Sequence, residues 1–397
     1  MAGEKQLVEK ALNEGKGVVR LEPAWVPRSF CIPGRRLKLH PDDYYSYGAN
    51  RGGIDERWFA STTKADNGPL TSLNEGLSYI HVDDKSKVLL KDALEVAGAD
   101  ILGADIVKKY GGWMMYSKFF DNEEPLPHHI HHTDKMAANV GRTGKPEAYY
   151  FPKQLNNHGG YFPYTFFGLN PGTTKDDVKK CLSNWEKSDN GILFLSRAYK
   201  LRPGTGWDVP PGILHAPGSL LTYEPQRASD VFSMFQNIVW EAYTPRELLE
   251  KDIPTNKRGD LDYYIELLDW QLNIDPEFYE HRYMAPRPTK PLEAMRAEGY
   301  EEYDIVYKSE FFSAKELTIL PGRSALIKDD GPYGAILLQG HGSFGALDVD
   351  SPAMIRFGQM THDEVFVTAK AAKEGILVKN PSATDDLVML KHFGPKA

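Results

Sequence analysis

The sequence predicts a mainly β protein in which two β domains are joined by a helical connector. Short apolar runs bounded by Gly and Pro recur over much of the chain, and such runs are typical of antiparallel strands. They fall into two blocks, one on each side of a charged segment of helical character at 245–300 that contains a proline cluster. The first block therefore predicts an antiparallel barrel or jelly roll, and the second predicts a smaller β domain.

Composition excludes several classes of function. The chain has 397 residues and a formal net charge of −8, from 47 Lys and Arg against 55 Asp and Glu. An acidic chain without a basic tract makes nucleic acid and anionic membranes poor partners. No apolar run approaches the ~18 residues of a membrane span, and the N-terminus lacks the basic start and apolar core of a signal peptide. These observations predict a cytoplasmic protein whose partners are small polar molecules.

The N-terminal segment, 1–110, is predicted to be a β-rich arm that ends in one or two helices. Turn residues and short apolar runs alternate up to about residue 80. Leu90, Ala93, Ala97 and Ile101 then recur at spacings of three and four, which is helical periodicity. Gly103 follows them as the expected end of one helix or the start of a second.

Residues 111–245 are predicted to form the first barrel, with a helical insertion. Apolar runs at Gly191–Ser196 and Ser219–Tyr223 predict two of its strands. Thr174 stands three residues before Asp177, and this spacing is typical of a capped helix start. A helix is therefore expected to begin at this point within the β domain.

The last two predicted segments are a helical connector at 246–310 and a second β domain at 311–397. Leu261, Ile265 and Leu268 lie on one helical stripe of the connector. The second domain does not repeat the histidine pattern described below and is predicted to be metal-free. Its predicted strands are Leu317–Leu320, Ala335–Leu338 and Glu364–Val367.

Four of the 12 histidines fall in the short run Pro127-His128-His129-Ile130-His131-His132. On an extended strand, side chains at i and i+2 point to the same side. His129 and His131 therefore share one face, and His128 and His132 share the other. Two imidazoles held side by side suit a first-row metal ion, although histidines at a barrel rim can also be satisfied by hydrogen bonds.

Two further ligand candidates lie downstream of the histidine run. Glu147 follows Lys145 and Pro146, and His215 follows a Pro-Pro-Gly turn that could direct the next strand's first histidine into a cavity. Three histidines and one carboxylate on adjacent strands would form one site. The predicted metal ligands are His129, His131, Glu147 and His215.

These motifs resemble those of the cupin superfamily: an H-x-H pair, a downstream glutamate and a late histidine after a Pro-Gly turn. The long segment between His131 and Glu147 narrows the resemblance to the type I mannose-6-phosphate isomerases. The matching stretches are Glu56-Arg57-Trp58, Ser117 to Lys135, Lys145-Pro146-Glu147, His215-Ala216-Pro217 and Ser229-Asp230-Val231. The resemblance covers residues 56–235, with a fainter echo near the C-terminus. It implies a bicupin, which has two jelly-roll β-barrels, and a metal-dependent aldose–ketose isomerase.

The sequence departs from the family pattern at two functional positions. The family's ligand glutamine falls on His129, and its active-site arginine has no counterpart, because Ser229-Asp230-Val231 continues as Phe232-Ser233-Met234. A guanidinium is the usual bidentate clamp for phosphate. Its absence weakens the case for a phosphorylated substrate.

Three lysines are the candidates for chemistry and substrate binding. Lys145 lies two residues before Glu147, so on a strand both would project to the same side. Lys145 and Lys118 match family lysines and are the predicted catalytic residues, with Lys145 as the acid–base group. Lys135, shortly after the H-x-H pair, is the predicted substrate-binding residue. The implied reaction moves a proton between C1 and C2 of a sugar through a cis-enediol.

The predicted cofactor is one divalent metal ion, with zinc favoured and manganese, iron, cobalt or nickel as alternatives. The predicted partner is a carbohydrate substrate, phosphorylated or free, and a homodimer is left open. Two other functions remain as alternatives. Three histidines and a glutamate on a cupin also occur in non-haem Fe(II) dioxygenases, and the absent arginine leaves room for a non-catalytic, metal-containing sugar-binding bicupin.

Overall fold

The computed structural model describes residues 2–156, 162–240 and 242–396 and confirms a mainly β protein. Its strands are all short, and every pairing between them is antiparallel within this part of the chain. In chain order they are β1 (Val18–Glu22), β2 (Ala24–Arg28), β3 (Gly53–Phe59), β4 (Tyr79–Asp83), β5 (Ser86–Leu89), β6 (Met115–Phe120), β7 (His129–Ile130), β8 (Glu147–Tyr150), β9 (Tyr164–Leu169), β10 (Ser196–Lys200), β11 (Gly206–Val209), β12 (His215–Ala216), β13 (Thr222–Arg227), β14 (Ser233–Met234), β15 (Ile238–Val239), β16 (Ala242–Tyr243), β17 (Tyr283–Met284), β18 (Arg287–Pro288), β19 (Tyr300–Val306), β20 (Ser313–Ile319), β21 (Ser324–Ile327), β22 (Tyr333–Gln339), β23 (His341–Phe344), β24 (Leu347–Asp350), β25 (Glu364–Val367), β26 (Ile376–Lys379) and β27 (Leu387–Phe393).

The helices are short and lie at the periphery of the sheets or between them. None in the described part of the chain is long and apolar enough to cross a membrane. They are α1 (Ala2–Glu14), α2 (Leu90–Leu102), α3 (Ala104–Tyr110), α4 (Asp134–Ala137), α5 (Lys175–Ser183), α6 (Arg246–Leu249), α7 (Leu261–Glu266), α8 (Trp270–Asn273), α9 (Phe278–Arg282), α10 (Leu292–Ala297) and α11 (Ala369–Glu374).

The first β region consists of a seven-stranded sheet in the order β17-β11-β8-β13-β6-β3-β2 and a five-stranded sheet in the order β10-β9-β12-β7-β14. An aromatic core joins them. Phe120 and Tyr149 come from the first sheet and Phe167 from the second, with the Tyr149 and Phe167 ring centroids 5.9 Å apart. Residues on the inner faces of both sheets are therefore brought together, as in a jelly roll.

The second β region consists of a nine-stranded sheet in the order β18-β19-β20-β27-β22-β25-β1-β4-β5 and a four-stranded sheet in the order β21-β26-β23-β24. Leu317, Tyr333 and Met389 from the larger sheet pack with Phe344 and Val378 from the smaller one. The strand pairing among the described residues leaves both regions as sandwiches of two sheets, without closure into a continuous barrel.

The N-terminal segment is divided between the two regions. β1, β4 and β5 extend the nine-stranded sheet, whereas β2 and β3 extend the seven-stranded sheet. Arg57 on β3 donates two hydrogen bonds of 2.7 Å to Asp363, which stands just before β25. The predicted segment boundaries stay a prediction, but residues 1–110 contribute strands to both β regions, and β19 lies inside the predicted connector.

Local predictions had mixed outcomes. One or two helices are predicted near the end of the N-terminal segment, and the structure has two, α2 and α3, separated by Gly103 at φ 87°. The capped insertion is confirmed as α5, where Thr174 and Asp177 form a capping box. The strand predicted at Gly191–Ser196 is wrong, because Ile192–Leu195 is a 3-10 helix and β10 begins only at Ser196. In a strand Ile192 and Phe194 would share a face, but Ile192 is buried and Phe194 is exposed.

Candidate metal centre

The candidate ligands lie between the two sheets of the first β region. His129 is in β7 and His215 in β12, and the two residues are direct antiparallel partners. His131 follows β7 immediately, and Glu147 begins β8 on the opposing sheet. The two sheets therefore bring together ligand candidates that are up to 86 positions apart in sequence, from 129 to 215.

The three histidines meet at one point in the sandwich. Ligand nitrogens of His129, His131 and His215 all lie within 4.8 Å of one another. Glu147 closes the group, with Oε2 2.9 Å from His131 Nε2 and Oε1 3.1 Å from His215 Nε2. All four side chains are buried, so a bound ion would be held by protein atoms in a shielded site.

Backbone carbonyls fix the orientation of all three imidazoles. A carbonyl oxygen can only accept a hydrogen bond, so each Nδ1 must carry the ring proton and each Nε2 presents a lone pair. This arrangement is the usual outer-shell support of a metal-binding histidine. The contacts are His129 Nδ1 to Pro127 O at 2.7 Å, His131 Nδ1 to Val231 O at 2.8 Å and His215 Nδ1 to Ile213 O at 2.9 Å.

Protonation favours a cation at the centre of the group. Burial lowers the pKa of His131 to about 4 and holds that of His129 well below its usual value, so both rings are neutral near pH 7. Burial raises the pKa of Glu147, but His131 and Lys145 outweigh burial and hold it well below the usual range. His215 Nε2 has no hydrogen-bond partner among the described residues, although it faces the carboxylate. Two lone pairs that face each other in a buried site fit a divalent cation between them.

The structure places both predicted catalytic lysines in or next to this group. Lys145 Nζ lies 3.2 Å from Glu147 Oε2 and 3.1 Å from His131 Nε2. Lys118, on β6, lies 3.5 Å from Glu224 Oε1, and Lys145 lies 3.5 Å from the same oxygen. Both lysines are buried. Glu224 therefore links the two ammonium groups beside the ligand candidates.

A network of buried charges, which sequence reasoning missed, extends from Lys118 away from the histidines. Glu56 on β3 lies 3.3 Å from Lys118 Nζ. It also accepts hydrogen bonds of 3.2 and 3.1 Å from Arg28, which lies 3.6 Å from Asp230. Burial lowers the pKa of Lys118, but Glu224 and Glu56 outweigh burial and raise it. Lys118 is therefore a charged hydrogen-bond donor.

One local signal could have identified Glu224. Thr222, Glu224 and Gln226 stand at i, i+2 and i+4 on β13, and all three are buried. Polar side chains that share one face of a buried strand need polar partners. Arg28 carried no comparable signal, because its partners are Glu56 on β3 and Asn67 and Asp230 in loops far away in the sequence.

Arginines near the site offer no free guanidinium. Arg28 is bound by Glu56, Asp230 and Asn67, the last at 2.8 Å. Two further arginines, Arg227 and Arg197, also have their guanidinium groups engaged. Arg227 pairs with Asp134 at 2.7 Å, and Arg197 donates to the backbone oxygens of Asn273 and Asp275.

The remaining histidines and lysine of the motif region lie away from the ligands. His128 contacts Gln236 at 2.6 Å and His132 contacts Ser233 at 2.9 Å. Both side chains therefore lie on the strand face opposite to His129 and His131, as predicted. Lys135 is exposed on α4, and neither a hydrogen bond nor an ion pair joins it to the ligand group within the described ranges. Its role in substrate binding stays a prediction.

Comparison with known proteins identifies the architecture. No family model and no curated protein matches the sequence. Among solved structures, mannose 6-phosphate isomerase from Bacillus subtilis is similar with a TM-score of 0.62 at 17% identity, covering 95% of this chain and 99% of that chain. The apo form from Salmonella typhimurium gives 0.61 at 11% identity, covering 96% and 99%. The chain has the cupin fold of the mannose-6-phosphate isomerases. A further structure of such an isomerase, described as bound with zinc and yttrium, gives 0.60 at 12% identity over 96% and 100% of the chains.

Proposed function

We propose that the protein is a metal-dependent aldose–ketose isomerase that acts on a sugar through a cis-enediol. The observation that carries this proposal is the buried group of three imidazoles and Glu147 with Lys145 in direct contact. A metal centre alone would also suit a binding protein. A buried lysine against the ligands adds the group that proton transfer requires. The isomerase fold supports the same conclusion.

His129, His131, His215 and Glu147 are the proposed ligands of one divalent ion, with zinc as the first choice. Three neutral nitrogens and one carboxylate also suit manganese, iron, cobalt and nickel. The ion, when bound, would supply Lewis-acid stabilisation of negative charge on the sugar oxygens. The protein's part is to hold the ligand atoms in place through the three Nδ1 to carbonyl hydrogen bonds.

Lys145 is the proposed acid–base residue. Its Nζ is held by Glu147 and Glu224, which fixes the ammonium beside the ligand group and restricts its rotamers. After its proton has passed to Glu224, the neutral amine of Lys145 would take a proton from one sugar carbon, and the ammonium so formed would return it to the neighbouring carbon. Lys118, charged and bound to Glu56 and Glu224, is proposed to donate hydrogen bonds to sugar hydroxyls.

The proposed substrate is a free sugar. A phosphate dianion in a buried site needs guanidinium or ammonium groups that are available to bind it. The three cations of the network are each within 3.6 Å of a buried carboxylate: Arg28 pairs with Asp230, Lys118 with Glu56 and Lys145 with Glu147. Position 234, in the segment where the related family has its arginine, is the buried Met234. Hydroxyl groups, which both accept and donate, match this mixture of ammonium and carboxylate groups better.

Isotope exchange tests the proposal directly. The metal-loaded protein would be incubated in deuterated water with mannose, glucose, fructose and their 6-phosphates, and deuterium at C1 and C2 would be measured by NMR. We expect exchange with at least one sugar, and loss of exchange in Lys145→Met but not in Lys370→Met, a lysine whose side chain is 82% exposed. Saccharide binding without exchange would contradict the isomerase. Oxygen uptake on addition of Fe(II) and substrate would favour a dioxygenase.

A further inference from the structure

A cavity of about 510 Å³ lies beside the second β region, and none of its lining residues belongs to the candidate metal centre. One wall comes from the ends of β19, β20 and β27 and from the loop that follows β21. The other wall comes from the α2–α3 corner and the segment that leads into β6. Cavities of this size between packed elements are the usual places for small ligands.

The strand wall is polar and contains a charge cluster that is already satisfied. Lys315 lies 2.8 Å from Asp329 and 3.3 Å from Glu302. Lys391, fully buried behind them, contacts Glu302 and lies 2.7 Å from Asp329. Two lysines balance two carboxylates, so this part of the wall is polar but has no net charge.

Asp304 adds a polar group without a partner to the same wall. It is half-buried on β19, and its carboxylate makes no hydrogen bond or ion pair with any other side chain in the described ranges. Burial raises its pKa, although the charges of Lys315, Lys396 and Arg287 oppose this effect. Asp304 lines the cavity, and its carboxylate is not fully buried. A ligand that displaces water from this carboxylate must therefore donate hydrogen bonds in return.

The opposite wall is mostly apolar, although Asp105 of α3 also lines it. Leu102 and Ile106 from the α2–α3 corner lie there with Trp113 and Met114, and Leu102 and Trp113 also belong to the main hydrophobic core. The cavity therefore has one wall that can hydrogen-bond and one that can pack against carbon.

We propose that this cavity is a second ligand site, for an uncharged polyhydroxylated ring of the monosaccharide or disaccharide class. The charged and polar residues of the lining disfavour phosphate esters, organic cations and hydrocarbons as ligands. Four aspartates and three lysines line the cavity, so a phosphate dianion meets an excess of carboxylates and an organic cation meets the lysines. A hydrocarbon would leave Asp304 without a donor. A sugar ring has a rim of hydroxyl groups and faces of C–H bonds, which match the two walls. This site does not depend on the proposed isomerase activity.

Two variants close or alter the cavity without touching the metal centre. Gly331 lines the cavity, and a Cβ added to it meets no atom within 4 Å, so Gly331→Phe should fill space rather than distort the backbone. Asp304→Ala removes the unpartnered acceptor. Gly3→Phe, at an exposed position of α1 where an added Cβ also meets nothing within 4 Å, is the matched control.

Isothermal titration calorimetry of the full chain with mannose, glucose and maltose tests the site. We expect at least one of these sugars to bind, with affinity reduced about 10-fold or more in Gly331→Phe and Asp304→Ala and unchanged in Gly3→Phe. Binding should persist in Glu147→Gln, which separates this site from the metal centre, and mannose 6-phosphate should bind that variant more weakly than mannose. The proposal fails if no sugar of the panel binds, if Gly331→Phe binds as tightly as the unmodified protein, or if the phosphate ester binds more tightly.

Discussion

The two β regions each bury a cluster of charged and polar groups, but only the cluster of the first region directs three imidazole nitrogens at one point. In the second region, Lys315 and Lys391 neutralise Glu302 and Asp329 at distances of 3.3 Å or less. In the first region, Lys145 pairs with Glu147, but three neutral imidazoles also surround this carboxylate, and His215 Nε2 has no donor among the described residues. The first cluster therefore has lone pairs that can receive a cation, whereas the second consists of lysines paired with carboxylates.

A metal-free C-terminal domain stays a prediction. In the part of the chain that the structure describes, the histidines of the first region are the one group whose ligand atoms converge as a metal requires. In the second region, the carboxylates of Glu302 and Asp329 have their counter-ions in the side chains of Lys315 and Lys391.

The largest effect that the comparison predicts is on Glu147→Gln. Loss of the carboxylate removes the negative charge that balances a cation, so metal content and turnover should fall together, with metal affinity lower by about 100-fold or more. Metal analysis by mass spectrometry after dialysis and isotope exchange would measure the two. A variant that kept its full metal content would remove Glu147 from the ligand set.

Lys145→Met should separate chemistry from metal binding. The change removes the proposed acid–base group and leaves the four ligand candidates in place, so turnover should fall by ~10²–10⁴ while metal content is retained. Steady-state kinetics and metal analysis on the same preparation provide the test. Lys145 would be a structural residue if the variant either lost its metal or kept full activity.

Lys391→Met probes the other cluster. It leaves Glu302 and Asp329 buried with only Lys315, and breaking such a buried pair costs about 3–5 kcal/mol of the free energy of unfolding. Urea denaturation should detect this loss, and metal content should stay unchanged. Lys370→Met, at an exposed lysine, should unfold like the unmodified protein. Equal stability of both variants would show that the second cluster does not need its ammonium.

A pH-dependent effect is predicted where the two β regions meet. Glu364 on β25 accepts a hydrogen bond from the Ala60 amide, and burial raises its pKa to about 8. Between its unfolded pKa and about pH 8, the folded state therefore binds more protons than the unfolded state, so stability falls as pH rises. Glu364→Gln should remove this dependence. The difference in free energy of unfolding between the two proteins should change by up to about 1.4 kcal/mol per pH unit from pH 5 to 8. A difference that stays constant across this pH range, measured by urea denaturation, would contradict the prediction.

The site was predictable to the extent that its signals are local. The H-x-H spacing on a strand put His129 and His131 on one face and His128 and His132 on the other, and the structure has this arrangement. Lys145 and Glu147, two residues apart, likewise lie side by side. Strand periodicity fixes such relations because it depends on backbone geometry alone.

The sequence by itself determined the mainly β class, the helices of the N-terminal segment and the insertion, and the candidate ligands. Only the tertiary structure decided that β1 joins the second region while β2 and β3 join the first, and that Arg28, Glu56 and Glu224 form a charge network beside the ligands. The reason is physical. Side-chain periodicity depends on the residues of one strand alone. Which strand pairs with which, and which group neutralises a buried charge, depend on packing between segments that are far apart in the chain.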